Sequence, residues 1–254
     1  MLLNFRKIGS GPPLVVLHGV FGSGDNWLTV SKAFADTHTV YLVDLRNHGH
    51  SPWSDAFNYD LMAEDVYELA QNESLNKFVL LGHSMGGKVA MRFAQLYPQL
   101  LEKLIIVDIA PRSYKPHHQN IIDGFRAVPL ATLAGRQEAD TAMAKHIAEA
   151  DVRQFLLKNL YRTPEGNFTW RLNLDAISQN ISEVGAELPV GKEISTKTLF
   201  IAGANSKYIQ AADEKDIHQR FSNVTIKSVP NAGHWVHAEQ PVAFAATVNE
   251  FLNT

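Results

Sequence analysis

Short apolar runs alternate along this chain with stretches that carry apolar residues at helical spacing. Leu14–His18, Thr39–Asp44, Phe78–Leu81, Leu104–Ile109, Leu199–Ala202 and Val224–Val229 are rich in apolar or β-branched residues and read as strands. Trp27–Ala35, Leu61–Gln71, Gly87–Tyr97, Ala211–Phe221 and Val242–Leu252 follow the helical period. Such alternation predicts βα units, and therefore an α/β fold with a mostly parallel central sheet flanked by helices. The opening residues Met1–Arg6 turn charged at once and read as an edge strand rather than a signal peptide.

The alternation lapses from Pro111 to about Lys197. In its place stand candidate short helices at His118–Val128, Gln137–Ala148, Val152–Tyr161 and Leu172–Val184, with a turn over Thr163–Asn167. An insertion of that length between two strands is a separate unit. The expected organisation is a core built from residues 1–110 and 197–254, with residues 111–196 forming a helical cap.

Composition narrows the classes. With 254 residues, 45 % of them hydrophobic, the chain can build one large core and bury roughly 70–75 % of its unfolded surface. A net charge of −3 without basic runs argues against a standing nucleic-acid partner. The absence of cysteine excludes disulfides, thiolate catalysis and Cys-ligated metal. No apolar stretch approaches the ~20 residues of a membrane helix, so a cytoplasmic protein without membrane insertion is expected. Nothing in the sequence predicts the oligomeric state.

The chemistry begins at Gly82-His83-Ser84-Met85-Gly86. The pattern Gly-x-Ser-x-Gly is weak alone, but here it joins the apolar run Phe78–Leu81 to an amphipathic helix that Pro98 stops. Strand, sharp turn with serine at its tip, helix: this is the nucleophile elbow of a serine hydrolase. Ser84 needs a base later in the chain. His234 follows the last strand through Pro230-Asn231-Ala232-Gly233, a flexible turn from which an imidazole can reach the serine. His237 is expected at a helix start, while His117 and His118 read as solvated residues of the cap.

The orienting acid is less direct. The loop after Leu199–Ala202 usually supplies it but offers Asn205, and an amide cannot balance an imidazolium charge. Asp108, at the tip of Leu104–Val107, is the first candidate. If that strand adjoins the nucleophile strand, the two tips are only about 5 Å apart. Asp175 and Asp213 are its rivals. For the oxyanion hole, Met85 N–H should supply one donor and Val20 N–H the other, with Phe21 N–H as the alternative. His18 is expected to pin that loop, and Arg46-Asn47-His48 to be structural. Phe21, Phe155, Trp170 and Trp235 are candidates for an apolar acyl pocket.

Several segments together carry a resemblance. They are His18-Gly19-Val20-Phe21-Gly22-Ser23, Asp44-Leu45-Arg46-Asn47-His48-Gly49-His50-Ser51, the Ser84 elbow, Val107-Asp108-Ile109-Ala110-Pro111, Trp170-Arg171-Leu172-Asn173-Leu174-Asp175 and Asn231-Ala232-Gly233-His234-Trp235-Val236-His237-Ala238-Glu239. The chain resembles the YbfF-type bacterial esterases of the α/β-hydrolase superfamily and mitochondrial relatives that share these motifs. The resemblance implies an α/β-hydrolase fold and a hydrolase of carboxylic esters that uses no cofactor or metal. Its implied substrates are small acyl esters, with acyl-CoA thioesters as a second class. The same residues could serve a C–C bond hydrolase or lyase, or a small-molecule receptor with residual hydrolysis.

Overall fold

In the computed structural model, which describes residues 1–115 and 117–254, nine strands form two sheets. The main sheet has seven: β1 (Phe5–Ile8), β2 (Pro13–Leu17), β3 (Thr39–Val43), β4 (Phe78–His83), β5 (Leu101–Val107), β8 (Lys197–Gly203) and β9 (Val224–Val229). Their spatial order is β1-β3-β2-β4-β5-β8-β9. Only β1 runs antiparallel, pairing with β3 as an edge strand; the other pairings are parallel.

The period-2 geometry of the strands explains the uninterrupted apolar runs. In β2, Val15 and Leu17 face one core cluster with Leu80, Val89 and Phe93, whereas Leu14 and Val16 face a second with Trp27, Leu81 and Phe244. Both faces are covered by helices, so every position of β4 is buried. The helix expected over Trp27–Ala35 is shorter. A 3₁₀ turn at Gly24–Trp27 precedes a helix of only Leu28–Ser31.

Residues 111–196 depart from the all-helical expectation. Helices Gln119–Arg126, Arg136–Met143, Ala150–Leu156, Leu174–Gln179 and Ile181–Val184 are present. Between them, β6 (Leu160–Arg162) and β7 (Phe168–Trp170) form an antiparallel hairpin around the Thr163–Asn167 turn. The helix expected over Val152–Tyr161 therefore stops early, because alternating Leu160, Tyr161 and Arg162 find cross-strand partners. This segment has its own apolar cluster, including Ile122, Phe125, Met143, Leu156, Trp170 and Ile177, and Phe21 of the core joins it.

Both ends of the segment are fastened to the helix that follows Ser84. Lys88, fully buried, donates from Nζ to the carbonyls of Pro111 (2.9 Å), Arg112 (2.6 Å) and Ala186 (2.8 Å). Burial lowers its pKa to about 7. Among the described residues, no helix is long and apolar enough to cross a membrane.

Candidate active site

The candidate residues meet at the C-terminal tips of adjacent parallel strands. Register pairs His83 of β4 with Val107 of β5, so the next residues, Ser84 and Asp108, are neighbours. Ser84 N–H donates to the Val107 carbonyl at 3.0 Å, and Asp108 N–H to that of Ile201 at 2.8 Å. Both residues have left-handed backbones, φ 53° at Ser84 and φ 49° at Asp108. Non-glycine residues seldom adopt this conformation, and it turns both side chains out of the sheet plane.

Two close backbone approaches explain the glycines at these tips. A Cβ on Gly82 would lie 2.1 Å from the Gly86 carbonyl oxygen, where strand and helix cross under Ser84. A Cβ on Gly203 would lie 2.1 Å from the Gly233 carbonyl oxygen. Without side chains there, the Asn231–Gly233 loop folds over the tip of β8 and carries His234 towards Asp108.

The result is a continuous hydrogen-bonded chain. Asp108 Oδ2 accepts from His234 Nδ1 at 2.8 Å, which leaves Nε2 to accept from Ser84 Oγ at 3.1 Å. The Asp108 carboxylate is wholly buried. Gly203 N–H donates to its Oδ1 at 3.0 Å, and Ser206 Oγ donates to Oδ2 at 2.5 Å. The Tyr208 ring stacks on His234 at a centroid distance of 3.9 Å, and His83 Nε2 donates to the His234 carbonyl at 2.9 Å.

The rival acids lie elsewhere. Asp175 is exposed and 3.9 Å from Arg126, and Asp213 pairs with Arg112 at 2.7 Å. Asn205 is exposed and hydrogen-bonds Ala232 through its backbone.

The loop after β2 passes beside Ser84. His18 Nδ1 donates to the Gly19 carbonyl at 2.7 Å, and its Nε2 accepts Leu45 N–H at 3.0 Å, so the ring does pin this loop. Phe21 N–H, the alternative oxyanion donor, is occupied. It donates to His48 Nε2 at 3.1 Å, while His48 Nδ1 donates to the Arg46 carbonyl at 2.9 Å. The Phe21 carbonyl accepts from Asn159 Nδ2 at 2.8 Å. Phe21 itself sits at φ 61°. Phe21 is thus clamped on both faces of its backbone, while Val20 N–H and Met85 N–H have no hydrogen-bond partners among the described residues.

A cavity of about 470 Å³ opens over Ser84 and His234. Phe21, Phe155 and Trp235 line it, with the Phe155 and Trp235 rings 5.8 Å apart. Trp170 does not. It is buried in the segment's own cluster, edge-on to Phe125 at 4.9 Å, because the β6–β7 hairpin turns it away from the core. His118 also departs from expectation. It lines the cavity, with its ring 5.9 Å from that of Phe21, rather than being solvated. His117 is exposed and meets the Tyr208 hydroxyl at 2.7 Å.

Neutral imidazoles surround the candidate base. Burial, with His234 and His237 nearby, holds His83 well below the usual imidazole range. Burial likewise pushes His48 and His237 to about 3 and His118 to about 4. Such groups couple stability to pH. Between pH 6.5 and about 3 the unfolded chain protonates His48 and His237 while the folded chain does not. Each should therefore remove about 1.4 kcal/mol of stability per unit as pH falls through that window. Denaturant midpoints measured from pH 7 to 4 should drop steeply, and His237→Phe should flatten the curve.

The sequence profile of the alpha/beta hydrolase fold matches residues 12–241. The chain belongs to the α/β-hydrolase family. The mouse sn-1-specific diacylglycerol lipase ABHD11 is 39 % identical, over 95 % of this chain and 81 % of that protein. The esterase YbfF of Escherichia coli is 35 % identical, over 95 % of this chain and 93 % of that protein, in keeping with the YbfF-type resemblance. A solved marine microorganism esterase superposes with a TM-score of 0.96 at 38 % identity, with 99 % of each chain covered. In this α/β hydrolase, sequence reasoning missed Asn159, Ser206 and Tyr208, and it read His48 as structural without its bond to Phe21 N–H. Only Ser206 had a usable signal, its place beside Asn205 in the loop that commonly holds the acid.

Proposed function

We propose that the protein is a carboxylic-ester hydrolase working through an acyl-enzyme, with Ser84 as nucleophile, His234 as base and Asp108 as orienting acid. The Ser84–His234–Asp108 hydrogen-bonded chain beneath a cavity of about 470 Å³ carries this reading. Esterase and lipase names among close relatives support it.

His234 Nε2 takes the Ser84 proton as Oγ attacks the ester carbonyl. Charge developing on the carbonyl oxygen is met by the Val20 and Met85 N–H groups, the latter at the positive end of the Met85–Leu96 helix. Asp108 stabilises the imidazolium. His234 then protonates the leaving group, and water activated by the same ring releases the acid. The neutral state of His83 and His237 adds no positive charge beside that transient imidazolium.

Residues 111–196 serve as a cap, with Phe155 opposing Trp235 across the acyl pocket. The pocket's size favours short to medium acyl chains. An activity screen from acetate to palmitate aryl esters, with acyl-CoA thioesters alongside, tests this. Hydrolysis should peak below the longest chains, and failure to cleave any ester would overturn the reading.

The Phe21 clamp yields a further expected result. Asn159→Ala frees the Phe21 carbonyl and loosens the loop that presents Val20 N–H. It should lower kcat by about tenfold with KM changed less than about twofold, a smaller cost than the ~10²–10³ of losing an oxyanion donor outright. Steady-state kinetics on one short ester would measure the split.

A further inference from the structure

A second cavity of about 240 Å³ adjoins the first at Asn26. Its walls come from the loop after β2 (Ser23, Asp25, Asn26), the loop after β3 (Asp44, Gly49, His50) and the inserted segment (Arg136, Lys158, Asn159, Arg171). Asn26 lines both cavities, and Asn159 reaches across to the Phe21 carbonyl.

Its two carboxylates are already satisfied. Asp44 is buried. Its Oδ1 accepts Gly24 N–H at 2.8 Å, and Oδ2 accepts Asn4 Nδ2 at 2.8 Å and His50 N–H at 2.9 Å. Asp25 pairs with Arg6 at 3.2 Å.

The three cations are not satisfied in the same way. Among the described residues every arginine except Arg136, Arg162 and Arg171 meets a carboxylate within 4.0 Å, and two of those three line this cavity. Arg136 spends Nη1 and Nη2 on the Leu157 and Leu160 carbonyls, at 2.7 and 2.8 Å, which fixes its position without neutralising it. Arg171 lies against the Tyr161 ring at 4.6 Å, and its buried Nε has no hydrogen-bond partner among the described residues. Lys158 is exposed and has no carboxylate partner there either. The Arg171 guanidinium with its unpartnered Nε, the Lys158 ammonium and the positive charge of the carbonyl-anchored Arg136 line one polar cavity and match an oxyanion. Their concentration is notable in a chain of net charge −3.

We propose that this cavity is a subsite for an anionic group, phosphate or carboxylate, carried on the alcohol side of an ester whose carbonyl lies at Ser84. The inference rests on the ester-hydrolase reading for its substrate but not for its anion. Binding there places charge beside Asn26 and the oxyanion loop. It would therefore select esters by their leaving group, whereas the Phe155–Trp235 pocket selects them by their acyl chain.

The test holds the acyl group constant and varies the alcohol. Butyrate esters of phenol, 4-hydroxybenzoate and 4-hydroxyphenyl phosphate are compared in the wild type, Lys158→Gln and Arg171→Gln. At least one charged ester should show a KM about tenfold below that of phenyl butyrate. Both variants should abolish that advantage while changing phenyl butyrate less than about twofold. Whichever charged ester gains identifies the anion.

A titration of the wild type with inorganic phosphate, followed by NMR, is read independently of turnover. Shifts at residues around Asn26 and Arg171, weakened in Lys158→Gln, support the subsite even if no ester is cleaved. No advantage for either charged ester together with no saturable phosphate shifts overturns it, as would variants that weaken all three esters alike. Thermal melts show whether Arg171→Gln has lost its fold, in which case the exposed Lys158→Gln decides the matter.

Discussion

Ser84→Ala is expected to lower kcat by at least ~10³-fold while leaving the protein folded. The hydroxyl is the atom that would carry the covalent step, and no other group replaces it at the elbow. Its removal costs little in the fold. The residue remains an L-amino acid at the same left-handed φ, and the surrounding crossing of strand and helix depends on Gly82, not on Oγ. His234 Nε2 loses a partner but faces a cavity where water can replace it. A fluorophosphonate should label the wild type and not the variant, and the melting temperature should stay the same or rise. Labelling that persisted in Ser84→Ala would assign the chemistry to another serine.

Much of this arrangement was legible in the chain because it lies on regular elements. Buried parallel strands read as unbroken apolar runs, and Phe78–Leu81 followed by Gly82–Gly86 could only be a strand entering a tight turn. The order of Ser84, Asp108 and His234 then followed from where strands end. What the pattern could not show are contacts between segments distant in sequence. Trp170 reads as pocket material by composition, yet a hairpin of two three-residue strands buries it against Phe125. Strands that short leave too few positions for alternation to stand out. Phe21 N–H stood as the alternative to Val20 N–H because its acceptor, His48, sits in another loop. Nothing in the helical pattern marks Lys88 for burial, and only the fold brings the Pro111, Arg112 and Ala186 carbonyls around it. Tertiary hydrogen bonds of this kind leave no periodic trace.

Asp108→Asn is expected to reduce kcat by up to ~10⁴-fold with the shape of the site preserved. The surroundings of the carboxylate explain why an isosteric amide should do such damage. Gly203 N–H points at the Oδ1 position and requires an acceptor there. An asparagine that keeps its carbonyl oxygen on that side must turn its NH₂ towards His234 and Ser206, where Oδ2 stood. Ser206 can accept from that NH₂, but His234 Nδ1 can do so only by giving up its own proton. The imidazole then carries hydrogen on Nε2, the atom that must receive the Ser84 proton, and no base remains. The charge that would offset the imidazolium is lost in the same step. Asp175→Asn, on an exposed side chain, should leave kcat within about twofold of the wild type. Asp213→Asn breaks the pair with Arg112 and should lower the melting temperature more than it lowers kcat. Kinetics on one short ester, with circular-dichroism melts of all three variants, separates these outcomes. If Asp108→Asn stays within about tenfold of the wild type, or either other variant proves equally damaging, Asp108 is not the orienting acid.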